Sequence, residues 1–389
     1  MLSKRIQTLS ESLTIAISSL ARDLKAQGKD VVSFSAGEPD FDTPQKIKDA
    51  AKKALDDGKT RYTAVAGTPE VLQAVADKLQ RENGLSYDLD EIIVNNGAKH
   101  TLFNIFQALV DVGDEVIIPA PYWVTYPELV KYSGGTPVQI HTCDTTGFKI
   151  TPKQLQDAIT EKTKILILTT PSNPTGAVYS KQELQALADV LEGSDITVVS
   201  DEMYEKLVFG TSFTAVASIN EHMYNRTITV NGLSKSVAMT GWRFGYMACK
   251  NKELVKAINK LQSQSTSNIN SITQEAAIVG LDGSVDSEIE HMRQTFQKRC
   301  EIAAQMFNAI DGLSVVKPDG AFYLFVNCKE VEPDSMEFCK ALLEKEGVAT
   351  VPGVGFGADG YFRFSFAVDL DTIKEGISRI ERFVQNYKK

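Results

Sequence analysis

Short apolar runs alternate with helical patterns from about residue 45 to residue 250, and this alternation constrains the fold most strongly. The runs at 91–94, 115–118 and 164–170 predict buried strands. Helical patterns lie between them, beginning for example at Ala98 and at Pro152. Strands that alternate with helices form βαβ units, so we predict an α/β fold with a mostly parallel sheet flanked by helices.

The pattern changes after residue 250. Long helical stretches at 287–308 and 371–386 enclose apolar runs at 322–327 and 361–366, which predict strands. This mixture indicates a second, smaller α+β domain. We predict an N-terminal arm with part of the small domain at 1–45, a large domain at 46–285 and a small C-terminal domain at 286–389.

Composition narrows the range of partners. The chain has 389 residues and a net charge of −9, without the basic face that a nucleic-acid partner requires. No apolar run is long enough for a membrane span, and the four histidines are too dispersed to indicate a metal site. The five cysteines are scattered and odd in number, which is typical of reduced thiols in a cytoplasmic protein. They are Cys143, Cys249, Cys300, Cys328 and Cys339.

Chemically reactive residue types follow five of the predicted strands. The carboxyl ends of parallel strands meet at one edge of a sheet, and ligands bind at that edge in open α/β folds. We therefore expect these turns to converge in space, although any one of them alone is a weak signal. The turns are 95–99, 119–123, 171–176, 201–204 and 232–235.

The last of these turns carries the most distinctive chemistry. After the β-branched run 227–230, the chain places a hydroxyl, an amine and a guanidinium within ten positions, at Ser234, Lys235 and Arg243. Such a set could hold a phosphate and a reactive carbonyl together, because a neutral lysine amine forms Schiff bases. The alternative is that Lys235 is an ordinary surface lysine. The fixed register of the neighbouring glycines, serine and arginine favours the functional interpretation.

Residues 231–245 closely resemble the Schiff-base lysine signature of class I and II pyridoxal-phosphate aminotransferases. Phe244 departs from that pattern, which more often has an aliphatic residue there. With residues 34–40 and Arg363, the resemblance covers nearly the whole chain and is strongest to subgroup I-beta of the aspartate aminotransferases. It implies fold type I, pyridoxal 5'-phosphate on Lys235, and ping-pong amino transfer. The implied substrates are L-aspartate, L-glutamate, oxaloacetate and 2-oxoglutarate.

The same resemblance assigns roles around the cofactor ring. Asp201 matches the aspartate that contacts the pyridine nitrogen, although an aspartate after a strand could also be a helix cap. Tyr204 and Asn173 match the pair that contacts the ring oxygen, and a cis bond is expected at Asn173–Pro174. Trp123 matches the aromatic residue that stacks on the ring and borders the substrate, although a tryptophan here could equally belong to the core. Lys235, Asp201 and Tyr204 are therefore the implied catalytic residues.

The phosphate site is implied by a helix start and two side chains. Backbone N–H groups at the beginning of a helix bind anions well, and an arginine can bind phosphate through two parallel hydrogen bonds. The implied phosphate ligands are Gly97, Ala98, Lys99, Ser234 and Arg243. Tyr62 matches a tyrosine that reaches the phosphate of the neighbouring subunit, so the resemblance implies a homodimer with shared active sites.

Arg363 stands between two phenylalanines in a predicted strand, so a buried position would require an anionic partner. The resemblance supplies the substrate α-carboxylate, with Gly37 and Asn173 assisting, whereas the alternative is an exposed edge-strand arginine. Lys99 matches a lysine that meets the distal carboxylate of aspartate or glutamate. Ser12 and Thr14 are expected to line the same pocket. Some relatives also accept prephenate, often with a basic residue near position 10, where this chain has serine.

The sequence allows three other interpretations, and an observation argues against each of them. Residues 355–360 match G-x-G-x-x-G literally, but a dinucleotide site requires a helix after the glycines, and a strand is predicted there. A pyridoxal-phosphate lyase would keep every cofactor residue, although Lys99 together with Arg363 favours transamination of dicarboxylates. A cofactor-binding transcriptional regulator would need a basic DNA-binding module, for which the chain has no room.

Overall fold

A computed structural model describes residues 2–10 and 13–387. The strands, in chain order, are β1 (Val32–Ser33), β2 (Ile92–Asn95), β3 (Glu115–Ala120), β4 (Thr136–His141), β5 (Thr163–Thr169), β6 (Thr197–Asp201), β7 (Thr227–Gly232), β8 (Gly245–Ala248), β9 (Ser314–Val315), β10 (Tyr323–Asn327), β11 (Val348–Ala349), β12 (Val351–Pro352) and β13 (Tyr361–Ser365). The helices are α1 (Leu13–Ala26), α2 (Gln45–Asp56), α3 (Pro69–Lys78), α4 (Ala98–Leu109), α5 (Thr125–Tyr132), α6 (Pro152–Ala158), α7 (Lys181–Leu191), α8 (Glu221–Arg226), α9 (Lys252–Ser263), α10 (Ser271–Leu281), α11 (Asp286–Asn308), α12 (Ser335–Glu346) and α13 (Leu370–Tyr387).

The large sheet has seven strands in the order β2-β8-β7-β6-β5-β3-β4. All of them run parallel except β8, which is antiparallel to both β2 and β7. The predicted mostly parallel α/β sheet is therefore confirmed. Every residue of β2 and of β7 is buried, because helices cover both faces of the sheet.

Several helices of this domain begin at a residue whose side chain caps them. Ser180 and Glu183 form a reciprocal capping box at the start of α7, and Thr68 caps α3 with proline in its first turn. Gly97 precedes α4 with a φ of 84°, a left-handed conformation that glycine adopts without strain. The chain therefore turns sharply from β2 into α4 at the sheet edge where the predicted site lies.

The small sheet is antiparallel, in the order β12-β13-β10-β9. Phe362 and Phe364 on β13 are fully buried in a core with α11 and α13, so Arg363 between them projects from the opposite face. Strand β1 pairs in parallel with β11, which joins the N-terminal region to the C-terminal one. The predicted boundaries at residues 45 and 285 stay a prediction.

The carboxyl ends of β2, β3, β5, β6 and β7 converge at one edge of the large sheet, beside β13 of the small one. This arrangement brings the five reactive turns together, as the sequence predicted. Across residues 2–10 and 13–387, every helix is too short or too polar to cross a membrane.

Candidate active site

A cavity of about 330 Å³ opens at this edge of the large sheet. Most of the site residues predicted from the sequence line it: Gly37, Ala98, Lys99, Trp123, Asn173, Asp201, Tyr204, Ser234, Lys235, Arg243 and Arg363. Gly97 lies directly behind the Arg243 guanidinium rather than in the lining. Tyr126, Thr169, Met203 and Tyr323 also line the cavity and were not predicted.

Lys235 follows the end of β7 and reaches into the cavity. Its Nζ donates a hydrogen bond to the backbone oxygen of Gly37 and lies 5.9 Å from the centre of the Phe322 ring. Burial lowers the pKa of this amine to about 8, assisted by the charges of Arg363 and Arg243 and opposed by Glu38. A substantial fraction of the amine is therefore neutral near physiological pH, which a nucleophilic lysine requires.

Asp201, the last residue of β6, is a buried carboxylate in the same cavity. The Tyr126 hydroxyl donates to its Oδ2 at 2.7 Å, and the Met203 backbone N–H donates to its Oδ1 at 3.2 Å. Burial raises the pKa of Asp201, and these hydrogen bonds act in the opposite direction. The carboxylate is thus held in one orientation and can accept a further hydrogen bond from a ligand.

Tyr126 is the most informative residue that the sequence did not reveal. Its hydroxyl also lies 2.9 Å from Thr169 Oγ1 at the end of β5, so it bridges two strand ends. The available signal was weak: Tyr126 lies in the first turn of α5, three positions after Trp123, and its ring packs edge-on against Trp123 at 5.5 Å. A tyrosine in an amphipathic helix is usually a core residue.

Tyr204 and Asn173 lie on the same side of the cavity as Arg363. The Tyr204 hydroxyl lies 2.9 Å from that of Tyr323 on β10, and Asn173 Oδ1 accepts a hydrogen bond from Arg363 Nη1 at 2.9 Å. The Asn173–Pro174 bond is cis, as expected. Asn173 therefore orients the arginine while its amide nitrogen can still donate to a ligand.

Arg363 is only 2% exposed and lies on an internal strand, so the alternative of an exposed edge-strand arginine is wrong. Its Nη2 donates to the backbone oxygen of Ser35 at 2.8 Å, and its guanidinium lies 4.4 Å from the centre of the Tyr323 ring. Among the described residues no carboxylate pairs with it, and its buried Nε has no hydrogen-bond partner. A buried cation without a counter-charge is costly, so the pocket is suited to an anion.

A second anion site lies at the start of α4. A Cβ built on Gly97 would lie 2.4 Å from Arg243 Nη2, and one built on Gly245 would lie 2.4 Å from the backbone nitrogen of Ala98. Gly97 therefore allows the Arg243 guanidinium to lie against the start of the helix, and Gly245 allows strand β8 to pack closely on the same backbone. Backbone N–H groups at a helix start, a guanidinium and the nearby Ser234 hydroxyl together suit a phosphate.

Lys99 and Trp123 form another wall of the cavity. The Lys99 ammonium lies 5.0 Å from the centre of the Trp123 ring, a distance at which a cation interacts with an aromatic face. Burial lowers the pKa of Lys99, and the nearby charge of Arg243 lowers it further. The ammonium group is accessible from the cavity and can interact with an anion there.

Tyr62 lies outside this cavity and is 90% exposed. The structure does not bring it to the other predicted phosphate ligands of the same chain. Ser12 and the side chain of Thr14, which were expected to line the pocket, lie outside the described part of the chain.

The observed cluster fits pyridoxal phosphate in four respects. Lys235 supplies an amine that can be neutral, Asp201 supplies a fixed carboxylate for a ring nitrogen, and the glycine cradle at α4 leaves room for a phosphate. The flat face of Trp123 can stack on an aromatic ring. The side chains present therefore match the amine, carboxylate, phosphate-binding and stacking groups that this cofactor requires.

Comparison with known proteins gives a consistent result. The model of the family "Aminotransferase class I and II" matches residues 29–380. The chain is 46% identical to an aspartate aminotransferase of Bacillus subtilis, over 99% of both sequences. It is 43% identical to a probable aspartate/prephenate aminotransferase of Aquifex aeolicus, over 99% of this chain and 98% of the relative.

Solved structures resemble the fold equally closely. The aspartate aminotransferase from Rhizobium meliloti superposes with a TM-score of 0.95 at 42% identity, over 99% of both chains. The aspartate aminotransferase from Thermus thermophilus with maleate gives a TM-score of 0.95 at 42% identity, over 98% of this chain and 99% of that one. With a family match that spans most of its length and relatives above 40% identity, this chain belongs to the class I and II aminotransferases.

Proposed function

We propose that the protein transfers the amino group between L-aspartate and 2-oxoglutarate, with oxaloacetate and L-glutamate as products. The observation that carries this proposal is a pair of cations, the buried Arg363 and the solvent-accessible Lys99, which line the same cavity as Lys235. A dicarboxylate would neutralise both cations, whereas an apolar side chain would leave Lys99 without a partner. The names of relatives from several organisms, which include aspartate aminotransferase, support the same substrate.

Pyridoxal phosphate is the cofactor of this family, and when bound it supplies an electron sink for the carbanion at the substrate α-carbon. Asp201 would hold the proton on the ring nitrogen, and Tyr204 and Asn173 would donate to the ring oxygen. Trp123 would stack on the ring. The phosphate would be held by the backbone N–H groups of Gly97, Ala98 and Lys99 and by the side chains of Ser234 and Arg243, so the Lys99 ammonium stays available to the substrate.

Two groups of the protein act directly on the substrate. Arg363 would bind the α-carboxylate through its guanidinium, with Asn173 and the Gly37 backbone fixing the orientation, so that the α-hydrogen faces Lys235. The neutral Lys235 amine would then accept that proton at Nζ as general base. Its pKa of about 8 suits this function, because a general base works best when its pKa lies near the working pH.

A panel of amino donors and keto acids tests the substrate proposal. We expect Lys99→Met to lower kcat/KM for L-aspartate by roughly tenfold to a hundredfold, because a charge-assisted hydrogen bond contributes about 1.5–3 kcal/mol. L-Alanine and L-phenylalanine should lose less than about threefold, since they make no such bond. Steady-state rates with 2-oxoglutarate as acceptor measure both effects.

Lys162→Met is the matched control, because Lys162 is exposed at the opposite, amino-terminal edge of the sheet. This variant should have the same kcat/KM as the native enzyme for every amino donor. Equal losses for aspartate and alanine in Lys99→Met would assign Lys99 to the cofactor instead. Faster turnover with prephenate than with 2-oxoglutarate or oxaloacetate would show that prephenate is the preferred amino acceptor and would contradict the proposal.

We also infer that the enzyme is a homodimer in which Tyr62 contacts the cofactor phosphate of the partner subunit. The 90% exposure of Tyr62 supports this, as do the exposed apolar side chains Leu2, Ile6 and Leu9 of the N-terminal arm.

The five cysteines are all free, which supports a cytoplasmic location.

Hybrid dimers test the shared site. One subunit would carry Lys235→Ala and the other Tyr62→Phe, co-expressed with different affinity tags. If Tyr62 acts on the partner, the hybrid has one site with both native residues, and half of its sites should bind the cofactor with native affinity. If Tyr62 acts within its own chain, the only lysine-containing site lacks the tyrosine, and native affinity should not return.

A further inference from the structure

Tyr62 lies on a loop whose position is unusually well supported. The loop joins α2 to α3 and has no regular secondary structure over 60–68. Such connections are normally among the more mobile parts of a protein. A large aromatic residue that is 90% exposed would then lose side-chain freedom whenever it bound a partner, which weakens binding.

The first support is Gln274 on α10, which is fully buried. Its Oε1 accepts a hydrogen bond from the Thr68 backbone N–H at 2.8 Å. Its Nε2 donates to Thr63 Oγ1 at 3.0 Å and to the backbone oxygen of Ile269 at 3.2 Å. Because donor and acceptor are both engaged, the amide has one orientation, and the loop is held on each side of its centre.

The second support is Gln262 on α9, which is also fully buried. Its Nε2 donates to the backbone oxygens of Val65 at 2.8 Å and of Val94 at 3.0 Å. The Val94 N–H in turn donates to the backbone oxygen of Ala66 at 2.8 Å. Val94 belongs to β2, which leads directly into the phosphate cradle at Gly97. The loop is therefore fixed to the strand that carries the phosphate site.

A buried amide is costly unless its hydrogen bonds are made, and two such residues converge on one exposed loop. Gly67 adds to this constraint, because a Cβ on it would lie 2.7 Å from Val94 Cγ2. Apolar side chains at 262 and 274 would fill the same space without the cost of burying an amide. The arrangement instead serves to hold the loop at a defined position.

We propose that Gln274 and Gln262 are positioning residues for Tyr62, which they hold in the orientation required to meet the phosphate site of a second copy of this chain. The inference rests on the proposed homodimer with shared sites. It goes beyond that proposal, because it assigns the affinity of one subunit's cofactor site to buried amides of the other subunit.

A double-mutant cycle on the cofactor dissociation constant tests this. Tyr62→Phe alone should weaken pyridoxal-phosphate binding by roughly tenfold or more, since it removes a hydrogen bond to a charged group. Gln274→Met alone should weaken it by roughly threefold to tenfold. In the Tyr62→Phe background, Gln274→Met should have less than about a twofold further effect, because the displaced group is already missing.

Two further variants keep the test decisive. Thr63→Val removes the loop partner of Gln274 with little change in shape, and it replaces Gln274→Met if that variant does not fold. It should weaken cofactor binding alone and have little further effect in the Tyr62→Phe background. Gln107→Met is the control, because Gln107 is a half-buried α4 glutamine that donates to the Ser133 hydroxyl, far along the helix from the loop. It should leave cofactor binding unchanged. Dimer content is measured in parallel by analytical ultracentrifugation.

The two levels of the proposal fail differently. If Tyr62→Phe weakens binding but the Gln274→Met and Thr63→Val effects are absent, or are equal in both backgrounds, the positioning role is wrong and the shared site stands. If Tyr62→Phe itself leaves the dissociation constant unchanged, the shared site is wrong and the positioning role is overturned with it.

Discussion

Burial shifts the pKa values of the two central ionisable residues in opposite directions. It lowers the pKa of Lys235 and raises that of Asp201, because a low dielectric disfavours either charge. Hydrogen bonds from Tyr126 and Met203 stabilise the carboxylate, whereas the lysine donates only to a backbone oxygen. The outcome is a reactive amine next to a carboxylate that can remain charged.

The pH dependence of cofactor capture follows from the lysine. With a pKa of about 8, about a tenth of the Lys235 amine is neutral at pH 7 and nearly all of it at pH 9.5. We expect the rate at which cofactor-free protein captures pyridoxal phosphate to rise with pH through about 8 and then level off. Stopped-flow absorbance measures this rate.

An exposed lysine with its ordinary pKa would give a different profile, in which the rate continues to rise to about pH 10. Observation of that profile would contradict the burial argument. Lys235→Ala should abolish the covalent absorbance change at every pH while leaving the fold intact, because the side chain borders an existing cavity and its loss leaves no new one in the packed core.

Residues at strand ends were predictable from the sequence, and their supporting partners were not. Lys235, Asp201 and Asn173 each follow an apolar run, so topology alone places them at one edge. Tyr126 and Tyr323 lie within a helix and a strand, where a tyrosine is usually a core residue. Only the three-dimensional structure reveals that their hydroxyl groups point into the cavity.

At the scale of elements, the start of α4 depends on one glycine. We expect Gly97→Ala to have two effects: a loss of roughly 1–2 kcal/mol in stability, because an alanine must adopt a φ of 84°, and weaker cofactor binding, because the new Cβ displaces Arg243. Denaturant unfolding measures the first effect, and a spectroscopic titration with pyridoxal phosphate measures the second.

Gly193→Ala separates these two effects. Gly193 has a φ of 75°, and a Cβ on it would meet no atom within 4 Å. This variant should lose similar stability and retain native cofactor affinity. If both variants bind the cofactor with native affinity, the proposed phosphate cradle is wrong.

Most elements of the large sheet could be predicted because they carry a clear apolar period. Three elements of the large domain were missed: β8, α8 and α10. Strand β8 is short, follows a loop with left-handed residues and is antiparallel to both neighbours. It therefore belongs to no βαβ unit that the sequence pattern could indicate. Helix α10 has apolar residues on several sides and buries Thr273 and Gln274 as well, which hides the amphipathic stripe that identifies a helix.

At the scale of the whole molecule, the cavity is assembled from parts that lie far apart in the sequence. The backbone of Ser35 and Gly37 comes from the N-terminal region, Lys235 from the large sheet and Arg363 from the small one. Arg299 on α11 pairs with Asp40 through two hydrogen bonds of 2.7 and 2.8 Å, which anchors the N-terminal segment. The sequence indicated these participants through the family resemblance, whereas their contacts depend on packing between the two sheets.

Covalent attachment at Lys235 is the central claim, and borohydride trapping tests it most directly. Protein loaded with pyridoxal phosphate would be reduced with sodium borohydride, digested and mapped by mass spectrometry. We predict one reduced cofactor per chain, on the peptide that contains Lys235, and none on that peptide after prior incubation with excess L-aspartate. Attachment at Lys99 or at another lysine, or no attachment, would contradict the account.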